Sequence, residues 1–287
     1  MFAVMGITGQ VGGKVARNLL RSGQSVRAVV REASKAEPWT ALGCDAAVAS
    51  IDDLASLTAA FKGVDGVFMM IPPDYDPAPG FPQIRAIIDT ISQAVEVSRP
   101  GKLVFLSSVG AQVEEFSLLN NSRMIEQGLR GLPIPTAFVR PAWFMENATW
   151  DVAAARSGVA PSFLQPLEHP IPMVATADIG RTVAEVLQET WAGSRVVELE
   201  GPQRYSANDI AAGFAAALGH SVRMEPVPRD TWEALFRAQG MQHPEPRMRM
   251  LDGFNEGWID FEHGQHVMRK GSVTLDSVLR ELVESSH

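Results

Sequence analysis

Three glycines near the start of the chain, Gly6, Gly9 and Gly12, stand at GxxGxxG spacing within Gly6-Ile7-Thr8-Gly9-Gln10-Val11-Gly12. Glycines so placed suit main-chain contact with a pyrophosphate: a tight turn at the first, close approach at the second, close helix–strand packing at the third. Thr8, Gln10 and Val11 would border the same phosphates. About 20 residues further on, an acidic side chain would accept hydrogen bonds from the ribose of NAD, whereas an arginine accommodates a 2′-phosphate. Arg31 stands there, with Lys35 four residues on. The spacing favours NADP(H) over NAD(H), and Glu32 keeps the NAD reading open. Ile71-Pro72, Ser107-Ser108 and Pro141 are further candidates for contact with the nucleotide. No nucleophile-elbow motif surrounds the serines, so their expected role is backbone or hydroxyl contact to nicotinamide. Trp143 and Phe144, with Trp150 beyond them, are candidate walls of a substrate pocket. His263 and His266 near Asp260 and Glu262 have the spacing of a metal pair without a matched third ligand; the reading is a solvated surface and no metal.

The elements that would position these residues follow from patterning. Residues 2–5 form a short apolar run that ends in glycine, as a buried parallel strand does. Val11, Val15 and Leu19 recur at helical spacing immediately after the glycines. Further strands are expected at 25–30, 44–49, 66–71, 102–106 and 135–139. Helices alternate with them: one capped by Asp53 and ended by Gly63, a long one carrying Ile84, Ile87, Ile88, Ile91 and Val95, and one over 119–129. That alternation predicts an α/β fold, a doubly wound parallel sheet of the Rossmann type with right-handed crossovers. In such sheets ligands sit at the carboxyl ends of the strands, where the glycines, Arg31, Ile71-Pro72, Ser107-Ser108 and Pro141 all fall. After about residue 147 the rhythm weakens. A helix capped by Asp178, a strand over 195–199, a helix capped by Ser206 and ended by Gly219, and a last amphipathic helix over 274–283 are expected there. The division expected is a dinucleotide-binding domain, 1–146, and a smaller α+β lobe, 147–287, that covers the cleft and is partly interleaved with the first.

The chain has 287 residues, 46% of them apolar and 20% charged, which allows a large buried core. A net charge of −8 opposes a nucleic-acid partner, since phosphate binding needs a basic face. No apolar run approaches the ~20 residues of a membrane span, and no export signal precedes Gly6. The single Cys44 is read as a buried, inert thiol. A cytoplasmic protein is expected, with a homodimer left open.

The chain resembles the NmrA-like family, the atypical branch of the short-chain dehydrogenase/reductases. The matching stretches are the glycine turn, Val26-Arg27-Ala28-Val29-Val30-Arg31, Leu106-Ser107-Ser108-Val109-Gly110-Ala111, Arg140-Pro141-Ala142-Trp143-Phe144-Met145-Glu146-Asn147, Thr176-Ala177-Asp178-Ile179-Gly180 and Gly253 to Phe261. The resemblance implies an NAD(P)H-binding oxidoreductase, since relatives include quinone, azo-dye and triphenylmethane-dye reductases. It also implies an alternative, because other relatives are regulators that sense NADP(H) and act through a protein partner without turnover. The wider superfamily uses a Tyr-xxx-Lys pair as its acid or base. Aligned on Glu126, the tyrosine position is Leu118 and the lysine position Ser122, and the chain's tyrosines, Tyr75 and Tyr205, lie elsewhere. Ketone chemistry by the usual pair is therefore not expected. A small aromatic, quinone-like or azo acceptor fits better, because hydride addition to a quinone leaves a phenolate that water can protonate.

Overall fold

The computed structural model describes residues 1–262, 264 and 266–286. The first half alternates as the pattern predicts: β1 (Phe2–Val4), α1 (Gln10–Arg21), β2 (Val26–Val30), α2 (Glu37–Thr40), β3 (Asp45–Val48), α3 (Leu54–Phe61), β4 (Gly66–Met69), α4 (Pro82–Ser98), β5 (Leu103–Leu106), α5 (Asn120–Leu129) and β6 (Thr136–Pro141). These six strands lie in the order β3-β2-β1-β4-β5-β6 and pair parallel throughout. The chain winds outward from β1 to β3 and then crosses back to β4. That places a topological switch point between β1 and β4, where such sheets open a crevice for ligands.

The central strands β1, β4 and β5 are apolar on both faces because both faces are covered, whereas the edge strand β3 is mostly exposed. In β5, Val104 and Leu106 join one core while Leu103 and Phe105 join the other, as the twofold alternation of a strand requires. Helix ends follow their local chemistry. Asp53 caps α3 by accepting from the Ala55 N–H at 3.1 Å. Past α1, the N–H groups of Gly23 and Gln24 bond back to Leu20 and Leu19. Cys44 is buried just before β3, and burial pushes its thiol pKa up.

Two strands of the second half rejoin the large sheet: Ser194–Glu200 beside β6, and Val267–Lys270 at the edge, both parallel. The helix Thr176–Gln188 packs on α1 at Gly180, where a Cβ would come 2.5 Å from that of Lys14. Asp178 does not cap this helix as expected. Ala175 is its N-cap, and Asp178, fully buried in the first turn, accepts from the Ser272 and Val273 N–H groups at 2.9 Å. A cap's short side chain serves equally well to hold a distant loop, and patterning cannot tell which. Ser206 does cap its helix, Ala207–Leu218, through a capping box with Asp209, and Gly219 ends it.

The remaining elements form a smaller layer over the carboxyl ends of the sheet. It contains a three-stranded sheet of Trp143–Phe144, Ile171–Val174 and Arg204–Tyr205, and a pair, Val159–Ser162 with Arg223–Pro226. The helices Trp232–Ala238 and Glu245–Glu256 complete it. Among the described residues no helix is long and apolar enough to cross a membrane.

Candidate nucleotide and acceptor site

The glycine turn joins β1 to α1. Gly6 has φ +62 and its carbonyl accepts from Gly9 N–H at 2.9 Å. A Cβ on Gly12 would stand 2.3 Å from the Gly6 oxygen, so no other residue fits there without moving backbone. Gly9 is the N-cap of α1 and carries no side-chain cap, and the first turn holds no acidic residue. The helix therefore opens with its N–H groups and the positive end of its dipole unanswered, as an anion-binding turn requires. Thr8, Gly9 and Gln10 are exposed at this turn. The residues present fit a dinucleotide pyrophosphate.

Arg31 directly follows β2, the strand next to β1, and is exposed. Lys35 ends the turn Ala33–Lys35 and is exposed too. Neither side chain has a hydrogen bond or ion pair among the described residues. A cavity of about 860 Å³ lies at the carboxyl ends of the central strands, beneath the smaller layer. Of the expected site residues, Gln10, Val11, Ile71, Pro72, Ser107, Ser108, Trp143 and Phe144 line it. Gly6, Thr8, Gly9, Gly12, Arg31 and Lys35 lie outside it, on the adjoining turn and strand end. Pro141 does not reach it. That residue is buried as the last of β6, with its carbonyl bonded by the Val109 N–H at 2.9 Å, and Ala142 takes the wall position.

Ser107 differs from expectation in its chemistry. Its hydroxyl donates to Glu126 Oε1 at 2.5 Å and its N–H to the Val139 carbonyl at 2.7 Å, so neither donor is free for nicotinamide. Glu126 in turn holds Arg140 by a bidentate pair at 2.8 and 2.7 Å. Arg140 also reaches Glu262 at 2.9 Å and Glu198 at 3.6 Å. Burial opposes the Arg140 charge, but Glu126 and then Glu262 outweigh it and hold the guanidinium above its ordinary range. The Arg140–Asn147 stretch thus has a physical account. Arg140 ties β6 to α5, Trp143 and Phe144 face the cavity, and Glu146 accepts from the Thr176 N–H at 2.9 and 3.0 Å. Asn147 returns to the wall.

Leu118 and Ser122, the positions that the sequence reading aligns with the tyrosine and lysine, both line the cavity. Trp150 lines it at the rim and is 63% exposed. His266 pairs with Glu262 at 2.7 Å, and His263 lies outside the described residues.

Among the wall residues that the sequence reading did not single out are Tyr75, Asp151 and Arg247. Tyr75 stands edge-on to Trp150 at 6.3 Å, with the Arg247 guanidinium 5.3 Å from its ring centroid. Burial pushes the Tyr75 hydroxyl up, and Arg247 pulls it back. Asp151 has no hydrogen bond among the described residues, and burial pushes its carboxyl up to about 6. No spacing marks these residues, because a loop, a short 3-10 turn and a distant helix bring them together. The loop is held over the cavity by Asp76, which accepts from the Gln242 N–H at 2.7 Å and also from that of His243.

An anion-ready glycine turn at the switch point of a parallel sheet, opening beside a roofed apolar cavity, defines a nucleotide-binding α/β protein with room for a second, largely apolar ligand. The chain belongs to the NmrA-like family, whose profile matches residues 1–267. It is 28% identical to the NAD(P)H azoreductase of Xenophilus azovorans over 263 residues, 89% of this chain and 85% of that one. Quinone oxidoreductase 2 of Escherichia coli strain K12 is 24% identical, covering 84% of this chain and 82% of its own. The crystal structure of the NADPH-dependent quinone oxidoreductase of Escherichia coli complexed with NADPH superposes with a TM-score of 0.81. It covers 98% of this chain and 99% of its own at 22% identity, a likeness of fold.

Proposed function

We propose that the protein is an NAD(P)H-dependent oxidoreductase that reduces a quinone-like or azo aromatic acceptor. The observation that carries this reading is the roofed cavity itself. It begins at the glycine turn, is walled by the rings of Phe105, Trp143, Phe144 and Phe254 among others, and includes Leu118 and Ser122, the positions that the resemblance aligns with the tyrosine and lysine that would serve a ketone. The named activities of the azoreductase and quinone oxidoreductase relatives support it.

The glycine turn and the open end of α1 would hold the pyrophosphate. Arg31, with Lys35, would hold a 2′-phosphate, which is the basis for preferring NADP(H) over NAD(H). A reduced nicotinamide, when bound, supplies a hydride. The wall of aromatic and aliphatic side chains would orient a flat acceptor and exclude water, which strengthens every polar contact inside. The Ser107–Glu126–Arg140 chain fixes the end of β5 without offering a proton. Asp151, protonated below about pH 6, is the cavity carboxyl best placed by its chemistry to release one. Purified protein mixed with NADPH and a panel of quinones and azo dyes should oxidise the cofactor, followed at its near-ultraviolet absorbance. Intact cofactor binding with no turnover across the panel would remove the reading and favour a sensing role.

A further inference from the structure

Among the described residues the cavity wall contains one cation, Arg247, and its surroundings are unlike those of the chain's neighbouring arginines. Between residues 200 and 260, Arg204, Arg223, Arg229, Arg237 and Arg249 are each ion-paired with a carboxylate. Arg247 has no carboxylate within ion-pair distance among the described residues. Its guanidinium instead lies 4.5 Å from the Phe236 ring centroid and 5.3 Å from that of Tyr75, with Nη1 3.8 Å from the Met241 sulfur. Rings hold a guanidinium by its faces and leave its in-plane N–H donors unengaged, and a thioether is a weak acceptor. Burial pushes this group down from its ordinary range, against the pull of Tyr75. An arginine nonetheless keeps its charge, so it stands as a partly desolvated cation whose donors lack an anion.

The other charged wall residues do not answer it. Asp74 is exposed at the rim and caps the Asp76 N–H at 3.0 Å, and Asp151 has no partner among the described residues. The stack also fixes where an anion would sit. Tyr75 belongs to the loop that Asp76 staples over the cavity, and Phe236 and Arg247 belong to the covering helices, so the donors stand on the roof, across from the β-strand ends.

We infer that Arg247 is a specificity-determining residue that selects aromatic acceptors bearing an oxyanionic substituent, a sulfonate, carboxylate or phosphate, over neutral ones of the same shape. The planar fork of a guanidinium matches two oxygens of such a group, and desolvation strengthens the pair. The assignment rests on the reductase reading for its turnover arm, so the first measurement needs no turnover. Wild-type protein loaded with NADP⁺ is titrated by calorimetry with naphthalene-2-sulfonate and with its neutral isostere, naphthalene-2-sulfonamide. The sulfonate should bind at least about tenfold more tightly, as one charge-assisted pair warrants, with the preference shrinking as salt rises. A carboxylate analogue, 2-naphthoate, should share the preference, since the chemistry is that of an oxyanion.

The second measurement compares kcat/KM for 1,2-naphthoquinone-4-sulfonate and 1,2-naphthoquinone. Arg247→Met should lower the ratio of the two at least about tenfold, and Arg247→Lys should fall between, since it keeps a charge but loses the fork. Equal binding of sulfonate and sulfonamide by wild type overturns the inference. So does an unchanged ratio in Arg247→Met, and so does a loss of NADPH affinity in that variant with the ratio intact, which would assign the guanidinium to the cofactor. If wild type turns over neither quinone, the reductase reading fails while the binding titration still decides this one. The wild-type titration also stands if Arg247→Met does not fold.

Discussion

Arg31 and Asp151 carry the sharpest expectations at the scale of single residues. Arg31 is exposed at the end of β2 with no partner among the described residues, so its removal disturbs little of the fold. Arg31→Ala should weaken NADPH by about 1.5–3 kcal/mol, roughly tenfold or more, and NADH far less. Calorimetric titration of both cofactors into both proteins measures this, and equal weakening of the two would make Arg31 structural. Asp151 is a half-buried carboxyl whose pKa rises from 3.8 to about 6. Its folded value lies above its unfolded one, so its contribution to stability is fully present below about pH 4 and is lost as pH rises through about 6. Asp151→Asn should therefore gain on wild type with rising pH, by up to roughly 3 kcal/mol at pH 7.5, and show little gain at pH 4. Denaturant unfolding at the two pH values checks it. A carboxyl whose charge is disfavoured at a cavity wall is the kind of group that serves a ligand.

At the scale of elements, the β1–α1 turn and the roofing loop make different demands. A Cβ at Gly12 meets backbone, not a movable side chain, so Gly12→Ala must push α1 away from β1. A loss of roughly 2–4 kcal/mol in stability and a loss of binding of both cofactors are expected, read by thermal unfolding and titration. The loop after β4 is anchored to the smaller layer through the Asp76 carboxylate, which the Gln242 N–H, ahead of that of His243, holds below the usual carboxylate range. Asp76→Ala leaves those two N–H groups without their acceptor. It should cost only about 1–2 kcal/mol in stability but raise KM for the aromatic acceptor, since the roof carries Tyr75. Faster limited proteolysis of residues 73–81 would accompany the change, and an unaltered KM with an intact loop would show that the anchor is dispensable.

At the scale of the whole molecule, the two halves of the chain share charge at Arg140 as well as an apolar core. Arg140 of β6 bonds Glu126 of α5 and reaches Glu198 and Glu262 from the second half of the chain. Arg140→Met would leave the buried Glu198 without its cation and the buried Glu126 with only Arg130 as cation, at 3.6 Å. A loss of about 3–5 kcal/mol is expected in equilibrium unfolding. Adding Glu126→Gln should recover part of it, because the pair is coupled through a shared interaction. Because Ser107 hangs on the same carboxylate, the cavity wall should loosen together with the sheet.

The sequence by itself determined the parallel sheet, the order of its first six strands as elements, and the cofactor turn. Each is written in short-range terms: apolar runs of strand length, helical periodicity, and glycines at a fixed spacing whose steric reason is local. The strand over 195–199 was legible, but its place in the large sheet, the strand Val267–Lys270 and the true partner of Asp178 were not, since strand pairing at long separation leaves no local mark. The acceptor side of the site was legible in Trp143, Phe144 and, at the rim, Trp150. Tyr75, Asp151 and Arg247 stand on three segments far apart in the chain, and their chemistry depends on burial, which belongs to no residue alone. Tertiary structure decided that one serine's hydroxyl faces a buried carboxylate, that one carboxyl is kept from water, and that one arginine meets rings where its neighbours meet acids.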